Sequence, residues 1–183
     1  ELFYDIVEIF NQINTIFKNM KILITGASGF VGSNLVKYLC CKTEYDLVAL
    51  LRSPADDHPW SNLEYRYADV MDLGNCLDLS DIDIIIHCAG RAHLMKDNSD
   101  NPLRDYRLIN TQGTINLAKS AAVSGVKRFI FLSTAKVNGD ESVLGSPLSV
   151  SSPIQRLDFY TLSKLEAEQG LKKISCETSL EFT

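Results

Sequence analysis

The sequence has no run of basic residues, and its 18 Lys and Arg against 23 Asp and Glu leave a net charge of −5. Binding a phosphate backbone needs a concentrated positive surface, so no nucleic-acid partner is expected. The five cysteines, Cys40, Cys41, Cys76, Cys88 and Cys176, are odd in number and include no CxxC pair. They read as reduced thiols in an intracellular, cytoplasmic protein. His87 and His93 show no metal-ligand spacing. Packing or ligand contact is expected of them, and no metal site. No stretch is apolar enough for long enough to cross a membrane, and no signal-peptide pattern is present. Internal repeats and low-complexity tracts are missing as well.

What is present is a chain of 183 residues with a 45% hydrophobic share, enough for one domain with a substantial core. Its organising stretch is Lys21-Ile22-Leu23-Ile24-Thr25-Gly26-Ala27-Ser28-Gly29-Phe30-Val31-Gly32. The Ile- and Leu-rich start reads as a buried strand, and Phe30, Val31, Leu35, Val36 and Leu39 recur at helical spacing. Gly26, Gly29 and Gly32 therefore lie between a strand and a helix. There the first can take a tight turn, the second admits a ligand to the backbone, and the third lets helix and strand pack closely. Free N–H groups at the helix start attract a phosphate, so this context predicts a dinucleotide's pyrophosphate seat, with Ser28, Phe30 and Val31 alongside.

Residues 1–19 place Leu2, Ile6, Ile9, Phe10, Ile13, Ile16 and Phe17 on one face of an amphipathic helix. They are read as an extension upstream of a domain beginning at Met20, with a membrane-surface or partner-binding helix as the other reading. Further strands are expected at Asp46 to Arg52, Leu63 to Ala68, Ile82 to Cys88 and Lys127 to Ser133, and another beginning at Leu180. Helices are expected around Leu73 to Leu79, from Pro102 to Ser124 with Gly125 as the stop, and from about Phe159 to Ile174. Continuously apolar strands mean a sheet covered on both faces. Strands alternating with helices predict a Rossmann-like α/β fold, a doubly wound parallel sheet with its ligand at the strand carboxyl ends. The Ser- and Pro-rich stretch from Gly139 to Leu157 is long enough for a functional loop.

Tyr160 and Lys164 stand one helical turn apart, on one face. A phenol titrates near 10, and a nearby ammonium lowers its pKa, which turns it into a usable acid or base. Ser133 and Thr134 end the fifth strand, where a hydroxyl can pass a proton between a substrate oxygen and the phenolate.

These stretches together resemble the extended short-chain dehydrogenase/reductases of the NAD-dependent epimerase/dehydratase type, which act on nucleotide sugars. The matches are TGASGFVG (Thr25 to Gly32), Ala68-Asp69-Val70, HCAG (His87 to Gly90), NTQGTIN (Asn110 to Asn116), FIFLSTAKVNG (Phe129 to Gly139) and YTLSK (Tyr160 to Lys164). The resemblance implies that Gly26, Gly29 and Gly32 seat the pyrophosphate, that Asp69 and Val70 meet the adenine, and that Cys88, Ala89, Gly90, Asn110 and Ser133 line the cofactor. It implies Tyr160 as acid/base, Lys164 on the nicotinamide ribose, and Thr134 in the Ser/Thr role. Thr134 is preferred to Ser133 because the family's hydroxyl residue stands five before the glycine matching Gly139. Family members continue past Leu180 into a smaller substrate domain, so residues 20–183 are expected to cover the cofactor-binding half. The full-length protein is expected to be a homodimer acting on a nucleotide sugar.

Two departures from the family pattern matter. Where members that prefer NAD carry an acid at the end of the second strand, this sequence has Leu51-Arg52-Ser53. An arginine can pair with a 2′-phosphate, so NADP is favoured over NAD. Asn138 stands where many members have Tyr; AKVNG resembles a bacterial surface-polysaccharide subgroup that includes 4-ketoreductases and 4-epimerases. Lys136 in the same loop faces either a sugar diphosphate or solvent. The expected chemistry is hydride transfer at C4 of a UDP- or dTDP-hexose, by a 4-epimerase or a 4-ketoreductase. The competing readings are a non-catalytic dinucleotide sensor and a carbonyl reductase acting on a non-sugar substrate.

Overall fold

The computed structural model describes residues 20–42, 45–54, 60–71, 77–91, 100–139, 141–142, 145, 147–149, 152–154 and 158–183. The amphipathic segment at residues 1–19, Cys76 and His93 lie outside them, as does part of the Ser- and Pro-rich loop. Among the described residues six strands follow one another: β1 (Lys21–Thr25), β2 (Asp46–Leu51), β3 (Leu63–Tyr67), β4 (Ile84–His87), β5 (Arg128–Phe131) and β6 (Glu181–Phe182). They form one sheet in the order β3-β2-β1-β4-β5-β6, and every pairing is parallel. This is the doubly wound sheet expected from the sequence, with its reversal of strand order between β1 and β4.

The apolar strands are buried on both faces, and alternate residues enter two different cores. Leu23, Val48, Leu50, Ile85 and Phe129 point into one, with Leu117, Ala118, Ala121, Ala167, Leu171 and Ile174. Those helical residues come from α3 (Thr114–Ser124) and α4 (Phe159–Glu177). Ile22, Ile24, Leu47, Ala49, Leu51, Ile84 and Ile86 point into the other core, against Leu35, Val36 and Leu39 of α1 (Phe30–Lys42). Burying a Leu or Ile side chain contributes roughly 1.5–3 kcal/mol, so these alternating rows set the register as well as the stability.

Some elements differ from the sequence pattern. The fourth strand starts at Ile84, because the Ile82 N–H bonds back to the Leu79 carbonyl at 3.1 Å in a turn. Leu77 to Leu79 are irregular, so the described end of the helix expected there is not helical. The long helix begins as α2 (Pro102–Tyr106), capped by the Asn101 side chain, which accepts from the Arg104 N–H at 3.1 Å. It then widens into π-helical turns at Arg107–Gly113 before α3 resumes and ends at Gly125. α4 is capped by Asp158, which accepts from the Thr161 N–H at 2.7 Å, and it runs past Ile174 to Glu177.

An ionic cluster ties down the edge at the strand amino ends. Lys21 reaches Glu64 and Asp81, each at 2.7 Å, while Arg66 reaches Glu64 at 2.7 Å and Asp81 at 2.6 Å. The Arg66 hydrogen bonds, followed by those from Lys21, hold the Asp81 carboxyl well below the usual carboxylate range. A carboxylate with a depressed pKa stabilises the fold fully above its unfolded value, and that contribution is lost progressively as pH falls from there through the folded value. The partners are partly exposed, which screens the pairs. Asp81→Asn is therefore expected to lower unfolding free energy by about 1 kcal/mol at neutral pH, discounted for that screening. In urea titrations the difference should narrow steadily as pH drops below the ordinary Asp value of 3.8; a gap that does not narrow contradicts this account.

Candidate functional site

The turn after β1 is built by contact rather than by flexibility alone. Gly26 adopts φ 65°, and a Cβ there would lie 2.7 Å from the Ala89 backbone nitrogen. At Gly32 a Cβ would fall 2.2 Å from the Gly26 carbonyl oxygen. The first helical turn of α1 thus sits directly on the end of β1. The Gly29 N–H closes the turn onto the Gly26 carbonyl at 2.9 Å, and the Gly29 carbonyl accepts from Ser33 N–H at 2.9 Å. The leading N–H groups of α1 have no intrahelical acceptor and present a positive dipole end.

Parallel register brings the other half of the site to the same edge. Thr25 pairs with Leu50 on one side and His87 on the other. Beyond this register β1 and β4 leave the sheet at Gly26 and Cys88, and β2 leaves one residue further on, at Arg52. Between them opens a cavity of about 370 Å³, lined by Gly26, Ser28, Gly29, Arg52, Asp69, Val70, Cys88, Ala89 and Gly90. These nine are all residues singled out from the sequence. Leu50, Ala68, Met71, Arg91 and Ile109 join them; of these Ala68 alone lies in a stretch matched to the family. Phe30 is 88% exposed, and Gly32 is buried against the turn. Asn110 is buried behind the wall: its side chain accepts from the Arg91 N–H at 2.7 Å and donates to the Arg91 carbonyl at 3.0 Å and to Ser163 Oγ at 2.9 Å.

Tyr160 and Lys164 share a face of α4 but point at different surroundings. The Lys164 side chain is only 4% exposed, with Nζ 3.9 Å from the Phe131 ring centroid. Burial pulls its pKa down to about 8 against the opposing influence of Cys88 and Glu168. The same burial pushes the Cys88 thiol up to about 11. The half-buried Tyr160 ring meets the edge of Tyr106, centroids 6.3 Å apart. Burial and the Asp158 carboxylate raise the Tyr160 pKa, and the ammonium opposing them belongs to Lys136. This corrects the expectation that Lys164 depresses the phenol: one-turn spacing aligns the two Cβ atoms, but Lys164 packs over Phe131 instead.

Thr134 follows β5 and caps the 3₁₀ turn Ala135–Asn138, which packs on α4; its Oγ1 accepts from the Lys136 N–H at 3.3 Å. Accepting there leaves the hydroxyl able to donate. The Ser133 hydroxyl instead donates to the Glu168 carboxylate. Glu168 was missed, although it stands one turn beyond Lys164 on the same face. Asn138 donates to the Ser152 carbonyl at 3.0 Å, drawing the described part of the long loop onto the 3₁₀ turn.

The glycine cradle, the exposed helix start and a buried ammonium at the far end of the wall fit a dinucleotide. Among the described residues no group of three or more His, Cys, Asp or Glu is placed to hold a metal ion. The described cysteines, Cys40, Cys41, Cys88 and Cys176, are free thiols. No described helix is long and apolar enough to cross a membrane. Residues 22–183 match the model of the NAD dependent epimerase/dehydratase family. The chain belongs to that family.

Among relatives of this epimerase/dehydratase chain, a UDP-glucose 4-epimerase of Vibrio cholerae is 42% identical over 161 residues, 87% of this chain and 48% of the relative. MoeE5, solved with UDP-glucose and NAD, is similar at TM-score 0.74 and 25% identity, covering 88% of this chain and 52% of that one. The UDP-Glc/GlcNAc 4-epimerase of Campylobacter jejuni is similar at TM-score 0.73 and 27% identity, covering 87% of this chain and 50% of that one. The chain spans about half the length of the curated relatives it matches.

A methyl group at Gly26 would meet the Ala89 backbone and demand a left-handed conformation as well. Gly26→Ala is expected to cost roughly 2–4 kcal/mol in chemical denaturation, because overpacking adds to φ strain. A loss below about 1 kcal/mol would mean that Ala89 yields and the contact is not rigid.

Proposed function

We propose that this chain forms the cofactor-binding half of an NAD(P)-dependent nucleotide-sugar 4-epimerase or 4-ketoreductase. The observation carrying this reading is one sheet edge that presents both the glycine turn at Gly26 and the Lys164 ammonium at the end of the same wall. In this reading residues 20–183 are the cofactor domain. Gly26, Ser28, Gly29, Phe30, Val31 and Gly32 hold the pyrophosphate, Asp69 and Val70 the adenine, and Cys88, Ala89, Gly90, Asn110 and Ser133 support the remainder.

When bound, the nicotinamide would supply or accept the hydride at C4 of the sugar. Tyr160 moves the proton of the C4 hydroxyl, and Thr134 hydrogen-bonds the same oxygen. Lys164 holds the ribose hydroxyls and keeps a positive charge beside the reacting centre. Because burial and Asp158 raise the phenol pKa before any ligand arrives, the ligands themselves must complete its activation. The UDP-glucose and NAD bound to MoeE5 support the substrate and cofactor classes.

Tyr160→Phe in the full-length protein is expected to reduce turnover of UDP- or dTDP-hexoses by at least about a hundredfold, the lower range of general acid/base contributions. Cofactor affinity should stay nearly unchanged; undiminished turnover refutes the assignment. Oxidation of NADPH in step with a 4-keto substrate identifies a ketoreductase, and turnover without net oxidation identifies an epimerase.

Arg52 supports the finer cofactor reading. It lines the cavity directly after buried Leu51, and Leu51-Arg52-Ser53 holds no carboxylate. A guanidinium there pairs with a 2′-phosphate. NADP is expected to bind more tightly than NAD in fluorescence titrations, and Arg52→Ala should weaken NADP roughly tenfold more than NAD, about one charge-assisted contact. Tighter NAD binding, or equal losses for both, overturns this preference.

A further inference from the structure

Behind the cavity wall runs a hydrogen-bond chain that the proposed reaction does not use. His87 is 1% exposed at the carboxyl end of β4. Its Nδ1 lies 2.7 Å from Thr25 Oγ1 and its Nε2 lies 2.9 Å from Thr114 Oγ1. The Thr114 hydroxyl donates to the Asn110 carbonyl at 2.6 Å. Its proton is committed there, so towards His87 it can only accept. Nε2 therefore carries the ring proton.

Burial, reinforced by the Lys164 charge, lowers the His87 pKa to about 3, so the ring is neutral and Nδ1 is bare. Thr25 must then donate to Nδ1, while its oxygen accepts from the Ala89 N–H at 3.1 Å. The chain has one direction: Ala89 N–H to Thr25, Thr25 to His87, His87 to Thr114, Thr114 to the Asn110 carbonyl. From the Asn110 side chain it continues to Ser163, whose hydroxyl donates to the Tyr160 carbonyl at 2.6 Å. One end is the residue against which Gly26 packs, and the other is the first turn of α4.

We propose that His87 is a positioning residue, a neutral Nε2-protonated strut that holds the Ala89-Gly90 wall and the Asn110 turn in register with the helix carrying Tyr160 and Lys164. The inference rests on the cofactor reading above. The geometry at Gly90 shows what register means here: a Cβ on Gly90 would lie 3.1 Å from Asn110 Oδ1 and 3.9 Å from Lys164 Nζ. Small shifts between wall and helix would close or open that gap. A buried donor or acceptor left without a partner costs enough to drive such shifts.

The test uses the full-length protein, with NAD and NADP titrations, thermal unfolding and ¹⁵N spectra of the histidine rings. Thr114→Val keeps the shape and removes the hydroxyl; it should weaken cofactor binding at least about fivefold, while Thr114→Ser restores it. In the parent protein, the His87 ring should show two well-separated nitrogen signals with the proton on Nε2, unchanged between about pH 5 and 8, the range in which an ordinary His titrates. A Thr114→Val protein that melts earlier but binds cofactor like the parent makes the chain merely structural and overturns the proposal. A ring protonated on Nδ1, or titrating in that range, overturns it without any variant having to fold. A parent that binds neither cofactor defeats the functional reading instead, which the ring spectrum distinguishes from failure of the strut.

Discussion

The Gly26 carbonyl occupies the space where residue 32 would carry a side chain, and much of the molecule is arranged by that approach. It fixes how closely α1 can sit on β1, and so how far its unpaired N–H groups project over the sheet edge. The opposite side of Gly26 is filled by Ala89. The turn is therefore clamped between its own helix and the end of β4, two elements that meet only because β1 and β4 pair in register. Close-packed backbone of this kind does not deform gradually, so the cavity beside it inherits a defined width.

Much of this arrangement could be read from residue order. Continuous apolar strands separated by helical patterns can bury both faces only as a parallel sheet between helices, and the two alternating cores satisfy that requirement. The glycine spacing located the turn, and nine of the residues named from the sequence meet around one cavity. What escaped depends on one tight local turn and on partners distant in the chain. Ile82 looked like strand but is turned away by Leu79. The π-helical stretch is invisible in an apolar pattern, yet it places Asn110 where it can bond Arg91 and Ser163.

The electrostatics of Tyr160 and Lys164 show the same limit. Spacing put Tyr160 and Lys164 on one face, and a charge-to-phenol interaction followed naturally. In the fold, Lys164 lies over the Phe131 ring and answers to Glu168 and Cys88, while Tyr160 answers to Asp158 and Lys136. A cation–π contact costs the ammonium less than an apolar pocket would, but it does not replace water. The lysine is thus kept buried and only weakly held in its charged form, a state that a ribose hydroxyl pair would relieve.

The neutrality of His87 follows from the same crowding. Lys164 is the charged group acting on the ring, and two threonine hydroxyls take both of its nitrogens. A second proton on the ring would set two cations against each other in a buried space and would leave Thr25 facing a donor. Thr25 would then accept from both the ring and Ala89, and its own hydroxyl proton would lose Nδ1 as its acceptor. A histidine here can serve the fold only as a neutral ring, and its two unlike nitrogens are what give the buried chain its single direction.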